Sequence, residues 1–143
     1  MIVVFGSLNI DFTATLESLP RPGETVLGPD YRTGPGGKGA NQAAAAAKAG
    51  ARVRFAGAVG RDMFANLPLA ALKVVGVDIA AVRHIEDAPT GAAFICVDAH
   101  GENQIALAAG ANLHARAEQV PDDWLDPQTT VVLQMELPAA ETW

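Results

Sequence analysis

Apolar residues in this chain fall into short runs whose period switches between that of a strand and that of a helix. Ile2 to Phe5 is an unbroken β-branched and aromatic run ended by Gly6, which predicts a buried strand opening a parallel sheet. Phe12 to Leu16 predicts a second strand, and the Pro- and Gly-broken LPRPGETVLG that follows reads as an excursion. From Gly39 to Ala49 alanine dominates and Gly50 supplies a stop, the signature of a helix that packs closely on a sheet. Val53 to Val59 alternates as the next strand, completing a βαβ pattern. A second helix is predicted from about Asn66, with Pro68 in its first turn and Gly76 as its end.

Ile79 to Ile85 reads as another strand, and Gly91 to Val97 and Asn103 to Leu107 as a hairpin joined by the turn residues DAHGE. Antiparallel strands inside a βα pattern predict a small accessory sheet, with lid strands at about 12–16, 24–34 and 91–108, placed to cover a site. Residues 112 to 128 read as loop and short helix, Thr130 to Met135 as a buried strand, and Pro138 as the first turn of a last helix. That helix has only begun at Trp143, which leaves a parallel sheet without its crossover and predicts an α/β domain truncated at its C-terminal side.

Composition changes the picture in one respect. Sixteen acidic against ten basic residues, a formal net charge of −6 and no basic run disfavour a nucleic-acid or anionic-membrane surface. No apolar stretch is long enough for a membrane span and no signal-like start is present, so a cytoplasmic protein with a small-molecule ligand is expected. The single Cys96, in the apolar run FICV, is expected to be a buried structural thiol.

The candidate chemistry centres on Gly34 to Gln42, GPGGKGANQ. Four glycines around one lysine run into a helix, so backbone N–H groups and the positive helix start can meet a phosphate or a polyhydroxylated molecule. The literal GxGxxG of Gly34, Gly36 and Gly39 lies some thirty residues beyond the first strand, which argues against a dinucleotide-dependent oxidoreductase. The phosphate-loop pattern of ATPases fails as well, with Arg32 in place of its first glycine and Gly39 in place of its Ser or Thr. His84, His100 and His114 are too scattered for a metal site. Asn9 and Asp11 follow the first strand and Glu136 follows the strand VVLQM, placing all three at the carboxyl edge where α/β sheets collect ligands. Asn9, Asp11, Lys38, Asn41 and Glu136 together offer the carboxylates, amides and single cation suited to several sugar hydroxyls.

GSLNID, PRPGETV, GGKGANQA, GRDMF, GVD, PTG, GEN and GAN occur in that order. In this the chain resembles the phosphofructokinase-B-type carbohydrate kinases along nearly its whole length, and GGKGANQA resembles their ribokinase branch in particular. The resemblance implies a three-layer α/β/α fold with a mostly parallel sheet and a small β lid that pairs two subunits as a homodimer. It implies that Asn9 and Asp11 hold sugar hydroxyls, that Gly37 and Lys38 line the pocket, that Asn41 adds an amide contact and that Glu136 closes it. It also implies transfer of the ATP γ-phosphate to the primary hydroxyl of D-ribose, with Mg2+ and a monovalent cation. The family's catalytic aspartate and anion hole lie in a DTxGAGD-like segment that this sequence does not contain, so the 143 residues alone are expected to be inactive. A sugar-binding or dimerisation module without catalysis is the alternative expectation.

Overall fold

The computed structural model describes residues 1–142, and the expected continuation of the last helix at Trp143 lies outside them. Eight strands form two four-stranded sheets. The strands are β1 (Ile2–Phe5), β2 (Asn9–Thr15), β3 (Tyr31–Gly36), β4 (Val53–Gly60), β5 (Asp78–Ile85), β6 (Gly91–Val97), β7 (Asn103–Ala108) and β8 (Thr130–Leu133). The helices are α1 (Lys38–Lys48), α2 (Asn66–Val74) and α3 (Ala139–Thr142).

The main sheet has the order β5-β4-β1-β8 and is parallel throughout. Its inner strands β1 and β4 are short, largely apolar runs because both of their faces are covered. Val4, Phe55 and Val59 pack with Ala40 and Ala43 of α1 and Leu69 and Leu72 of α2. The alternate residues Phe5, Ala56 and Ala58 pack on the opposite face with Ala111, Ala115 and Leu137. That second face is covered by three short 3-10 helices, Gly110–His114, Ala117–Gln119 and Asp122–Trp124, over the stretch expected to be loop and short helix. Trp124 closes this layer, buried, with the Arg54 guanidinium 5.0 Å from its ring centre. No helix among the described residues is long and apolar enough to cross a membrane.

The second sheet, β3-β2-β6-β7, is mixed: β2 runs parallel to β6 and antiparallel to β3, and β6 and β7 form the expected hairpin. It leaves the main sheet through Gly6 to Leu8 and returns through Gly37. Phe12 stacks on its cross-strand neighbour Phe94 at 5.5 Å, and Phe64, beside α2, meets the same ring edge-on at 5.6 Å. This aromatic trio ties one face of the lid to the main body.

Several sequence expectations are corrected. The lid strand expected at 24–34 spans Tyr31–Gly36, and 24–30 has no regular structure, since Pro22 and Gly23 open a turn there. Gly34 to Gly36 are therefore strand, not loop. The GxGxxG residues join an antiparallel lid strand to α1, which is not the parallel strand-to-helix turn of a dinucleotide fold. The strand expected to be buried near Thr130 is an edge strand with Val131 and Leu133 exposed. Cys96 is half-buried, on a lid strand with one face toward solvent.

Candidate functional site

Gly37 is where the lid hands the chain back to the main body. Its φ of 93° lies in the left-handed region, and a Cβ there would stand 2.6 Å from the Ser7 carbonyl oxygen. Only glycine lets the chain turn so closely over the end of β1 and enter α1 at Lys38. Asn41 follows in the first turn of that helix.

The N-terminus of α1 holds an anion supplied by the protein itself. The Glu136 carboxylate accepts the Lys38 backbone N–H at 3.1 Å and the Ser7 hydroxyl at 2.6 Å, and forms an ion pair with the Lys38 ammonium. The Gly39 N–H donates to the Ser7 oxygen at 3.3 Å. The expectation that this turn presents free N–H groups to a phosphate is thereby corrected: the positive helix end is already matched by Glu136. Burial works against ionisation of Glu136, but hydrogen bonds from the Lys38 ammonium, the Ser7 hydroxyl and the Lys38 N–H outweigh it and lower its pKa.

Asn9 and Asp11 belong to β2, which starts three residues earlier than the strand expected from Phe12. Their side chains share one face of the strand, two residues apart. Burial raises the Asp11 pKa first, and the nearby Glu136 charge adds to the rise. The two carboxylates are thus pushed in opposite directions, Glu136 firmly anionic and Asp11 the better proton holder.

All six residues singled out in the sequence, Asn9, Asp11, Gly37, Lys38, Asn41 and Glu136, line one cleft of about 220 Å³. It lies beyond the carboxyl ends of β1 and β8, under the lid. Its far wall is apolar, made by Ala93 and Ile95 of β6 and Ile105 and Leu107 of β7. Sequence reasoning missed this wall, although the odd-numbered positions of the hairpin alternate with the period that places them together. It also missed Ser7, a fully buried hydroxyl whose only signal was its place at the end of the first strand.

A larger open cleft of about 410 Å³ is lined by Arg61, Asp62, Glu86, Asp87, Ala88 and Pro89. Arg61, Glu86 and Asp62 are each paired within the protein. Arg61 pairs with Glu86 at 2.6 Å. Asp62 accepts the Phe64 and Ala65 N–H groups and both the N–H and hydroxyl of Thr90. These bonds overcome the opposing effect of burial and lower the Asp62 pKa. The smaller cleft, which brings two amides, two carboxylates and a lysine against an apolar wall, is the better ligand site.

No group of three or more His, Cys, Asp or Glu side chains among the described residues can hold a metal ion.

Comparison with known proteins agrees with this geometry. The family model for pfkB family carbohydrate kinases matches residues 1–140. Among curated proteins, a ribokinase of Schizosaccharomyces pombe is 40% identical over 96% of this chain and 46% of its own length. A ribokinase of Bacillus subtilis is 43% identical over 78% of this chain and 38% of its own length. Among solved structures, ribokinase from Giardia lamblia superposes with a TM-score of 0.88 at 36% identity, covering 99% of this chain and 43% of that one. Arabidopsis thaliana ribokinase complexed with ribose and ATP superposes with a TM-score of 0.79 at 36% identity, covering 96% of this chain and 46% of that one. The chain spans less than half the length of these relatives. With a parallel main sheet, a mixed lid sheet and a match over nearly all its residues, this chain belongs to the pfkB family of carbohydrate kinases and has the ribokinase-like α/β fold.

Proposed function

We propose that this chain carries the sugar-binding portion of a ribokinase-type enzyme that transfers the ATP γ-phosphate to the primary hydroxyl of D-ribose. The observation that carries the reading is the single cleft in which Asn9, Asp11, Gly37, Lys38, Asn41 and Glu136 meet an apolar wall. Carboxylates and amides suit the hydroxyls of a pentose, and Ala93, Ile95 and Leu107 suit its C–H face. The Arabidopsis relative was solved with ribose and ATP, which supports the same ligand class here.

In this reading Lys38 and Glu136 hold each other and leave their remaining hydrogen-bonding capacity to the sugar. Asp11 accepts a hydroxyl proton in a hydrogen bond and orients the sugar rather than abstracting the proton. Phosphoryl transfer depends mainly on positioning and on charge neutralisation at the phosphates. The described residues supply the first and not the second. Nucleotide, Mg2+ and any monovalent cation belong to groups other than those described, and the 143 residues alone have no kinase turnover. The reading includes a cytoplasmic location and a homodimer formed through the lid, whose strand β7 is exposed at every position.

Calorimetric titration of the chain with D-ribose, alongside an assay for ADP release, tests this reading. Saturable ribose binding without ADP release is expected. Absence of ribose binding overturns the sugar site, and ADP release overturns the predicted inactivity.

A further inference from the structure

Asn112 lies in the GAN segment, 103 positions from Asn9 and outside the cleft lining. It is 2% exposed, and every polar atom of its side chain is committed. Its Oδ1 accepts the Leu8 N–H at 3.0 Å, while its Nδ2 donates to the Leu8 carbonyl at 3.1 Å and the Ala109 carbonyl at 3.0 Å. Asn112 thus pairs with Leu8 much as a neighbouring strand would, at the point where the chain passes from β1 to the lid.

Those backbone partners fix which end of the Asn112 amide is which. A backbone N–H can only donate and a carbonyl can only accept, so the nitrogen must face Leu8 O and Ala109 O. The same NH2, whose two hydrogens are shared among three acceptors, stands 2.8 Å from the Asn9 side chain; an amide nitrogen does not accept, so the atom facing it is the acceptor Oδ1. The Asn9 amide has no freedom to flip. Its oxygen is spent on Asn112, and its Nδ2, which donates to no protein group among the described residues, is left for the cleft. The space for this amide pair exists because Gly91 lacks a side chain: a Cβ there would collide with both Asn9 Oδ1 and Asn112 Nδ2.

We infer that Asn112 is a positioning residue for the candidate sugar site, locking Asn9 as a hydrogen-bond donor toward the ligand. Three segments quoted separately from the sequence, SLN, PTG and GAN, supply the donor, the space and the lock. The inference deepens the proposed sugar site and rests on that reading for its effect on affinity. The orientation of Asn9 itself rests on the hydrogen bonds alone.

Asn112→Asp is the informative substitution. It keeps the size and an acceptor for Leu8 N–H, but sets oxygen against the Leu8 and Ala109 carbonyls and against Asn9 Oδ1; of these three only the Asn9 amide can turn to offer a donor, so its nitrogen faces inward. In the ligand-free chain, side-chain amide hydrogen exchange of 15N-labelled Asn9 is expected to slow by about tenfold in Asn112→Asp, as its NH2 gains a buried partner. Unchanged Asn9 exchange in a variant that remains folded overturns the inference, whether or not the chain binds sugar. Should Asn112→Asp fail to fold, the same exchange measured on the unaltered chain decides the matter: Asn112 NH2 protected about tenfold or more beyond Asn9 NH2 supports the lock, and the reverse order overturns it.

The second arm reads ribose affinity in a double-mutant cycle. Asn112→Asp is expected to weaken binding about tenfold when Asn9 is present and less than about twofold in the Asn9→Ala background. Equal losses in both backgrounds mean that Asn112 only supports the fold, which overturns its positioning role. A chain that binds no ribose at all, yet shows the Asn9 exchange change, refutes the sugar reading and leaves the amide lock standing.

Discussion

Lys38 and Glu136 stand 98 positions apart, yet the backbone N–H and the ammonium of Lys38 both donate to the carboxylate of Glu136. This one contact joins the glycine turn after the lid to the segment after β8, and it closes the polar side of the cleft. The partners are unequally placed, Lys38 with 68% of its side chain exposed and Glu136 with 13%.

That asymmetry sets the order of two substitutions. Lys38→Met removes an exposed partner and is expected to cost about 1 kcal/mol of stability. Glu136→Ala strands the buried Ser7 hydroxyl and the Lys38 N–H that opens α1, and is expected to cost about 2–3 kcal/mol. Urea denaturation measures both; a larger loss for Lys38→Met contradicts the account.

The two carboxylates predict opposite responses to acid. Glu136 has a lowered folded-state pKa, so its stabilisation is complete above the unfolded value of about 4.3 and is lost as pH falls through the lower folded value. Asp11 has a raised pKa, so it favours the folded state at low pH and loses that advantage as pH rises from about 3.9 through its folded value. Asp11→Asn is therefore expected to raise the melting temperature at pH 7 while weakening sugar binding, with the thermal gain vanishing near pH 3. A melting temperature for Asp11→Asn below that of the parent at pH 7 contradicts this.

Gly34 and Gly36 offer a matched pair two residues apart on β3. A Cβ on Gly36 would collide with the Asp11 carboxylate, whereas one on Gly34 meets nothing within 4 Å. Gly36→Ala is expected to weaken ribose binding by about tenfold or more through displacement of Asp11, and Gly34→Ala to leave it unchanged. Equal effects measured by calorimetry contradict the assigned geometry.

Ile105 and Leu107 of β7, on the face of the lid that walls the cleft, keep roughly half of their surface exposed. Sedimentation velocity is expected to show a species of twice the 14.8 kDa chain mass, dissociated by Ile105→Glu at the middle of β7. A monomer at all concentrations contradicts the lid dimer.

Much of this arrangement is legible in the amino-acid order because local rules and tertiary demands coincide. Gly50 and Gly76 end α1 and α2, and Pro68 sits in the first turn of α2. That Asn9, Asp11 and Glu136 come together in one cleft is readable from the rule that parallel strand ends converge on one edge of the sheet. What is not legible depends on contacts distant in sequence. No local signal says that Glu136 will occupy the α1 N-terminus, which turns an apparent phosphate seat into a closed ion pair. The exposure of β8 is hidden too, because TVVL is apolar whether its strand is central or at an edge. Asn112 is invisible as a positioning residue for the same reason, since its role exists only where GAN meets SLN.

The central claim, that a pentose is held between the glycine turn and the lid, is tested most directly by adding D-ribose to the 15N-labelled chain and following its amide spectrum. The account predicts saturable shifts concentrated at Asn9, Asp11, Gly37, Lys38, Asn41 and Glu136. Shifts confined to Arg61, Asp62 and Glu86 to Ala88, or no shifts at saturating sugar, would contradict it.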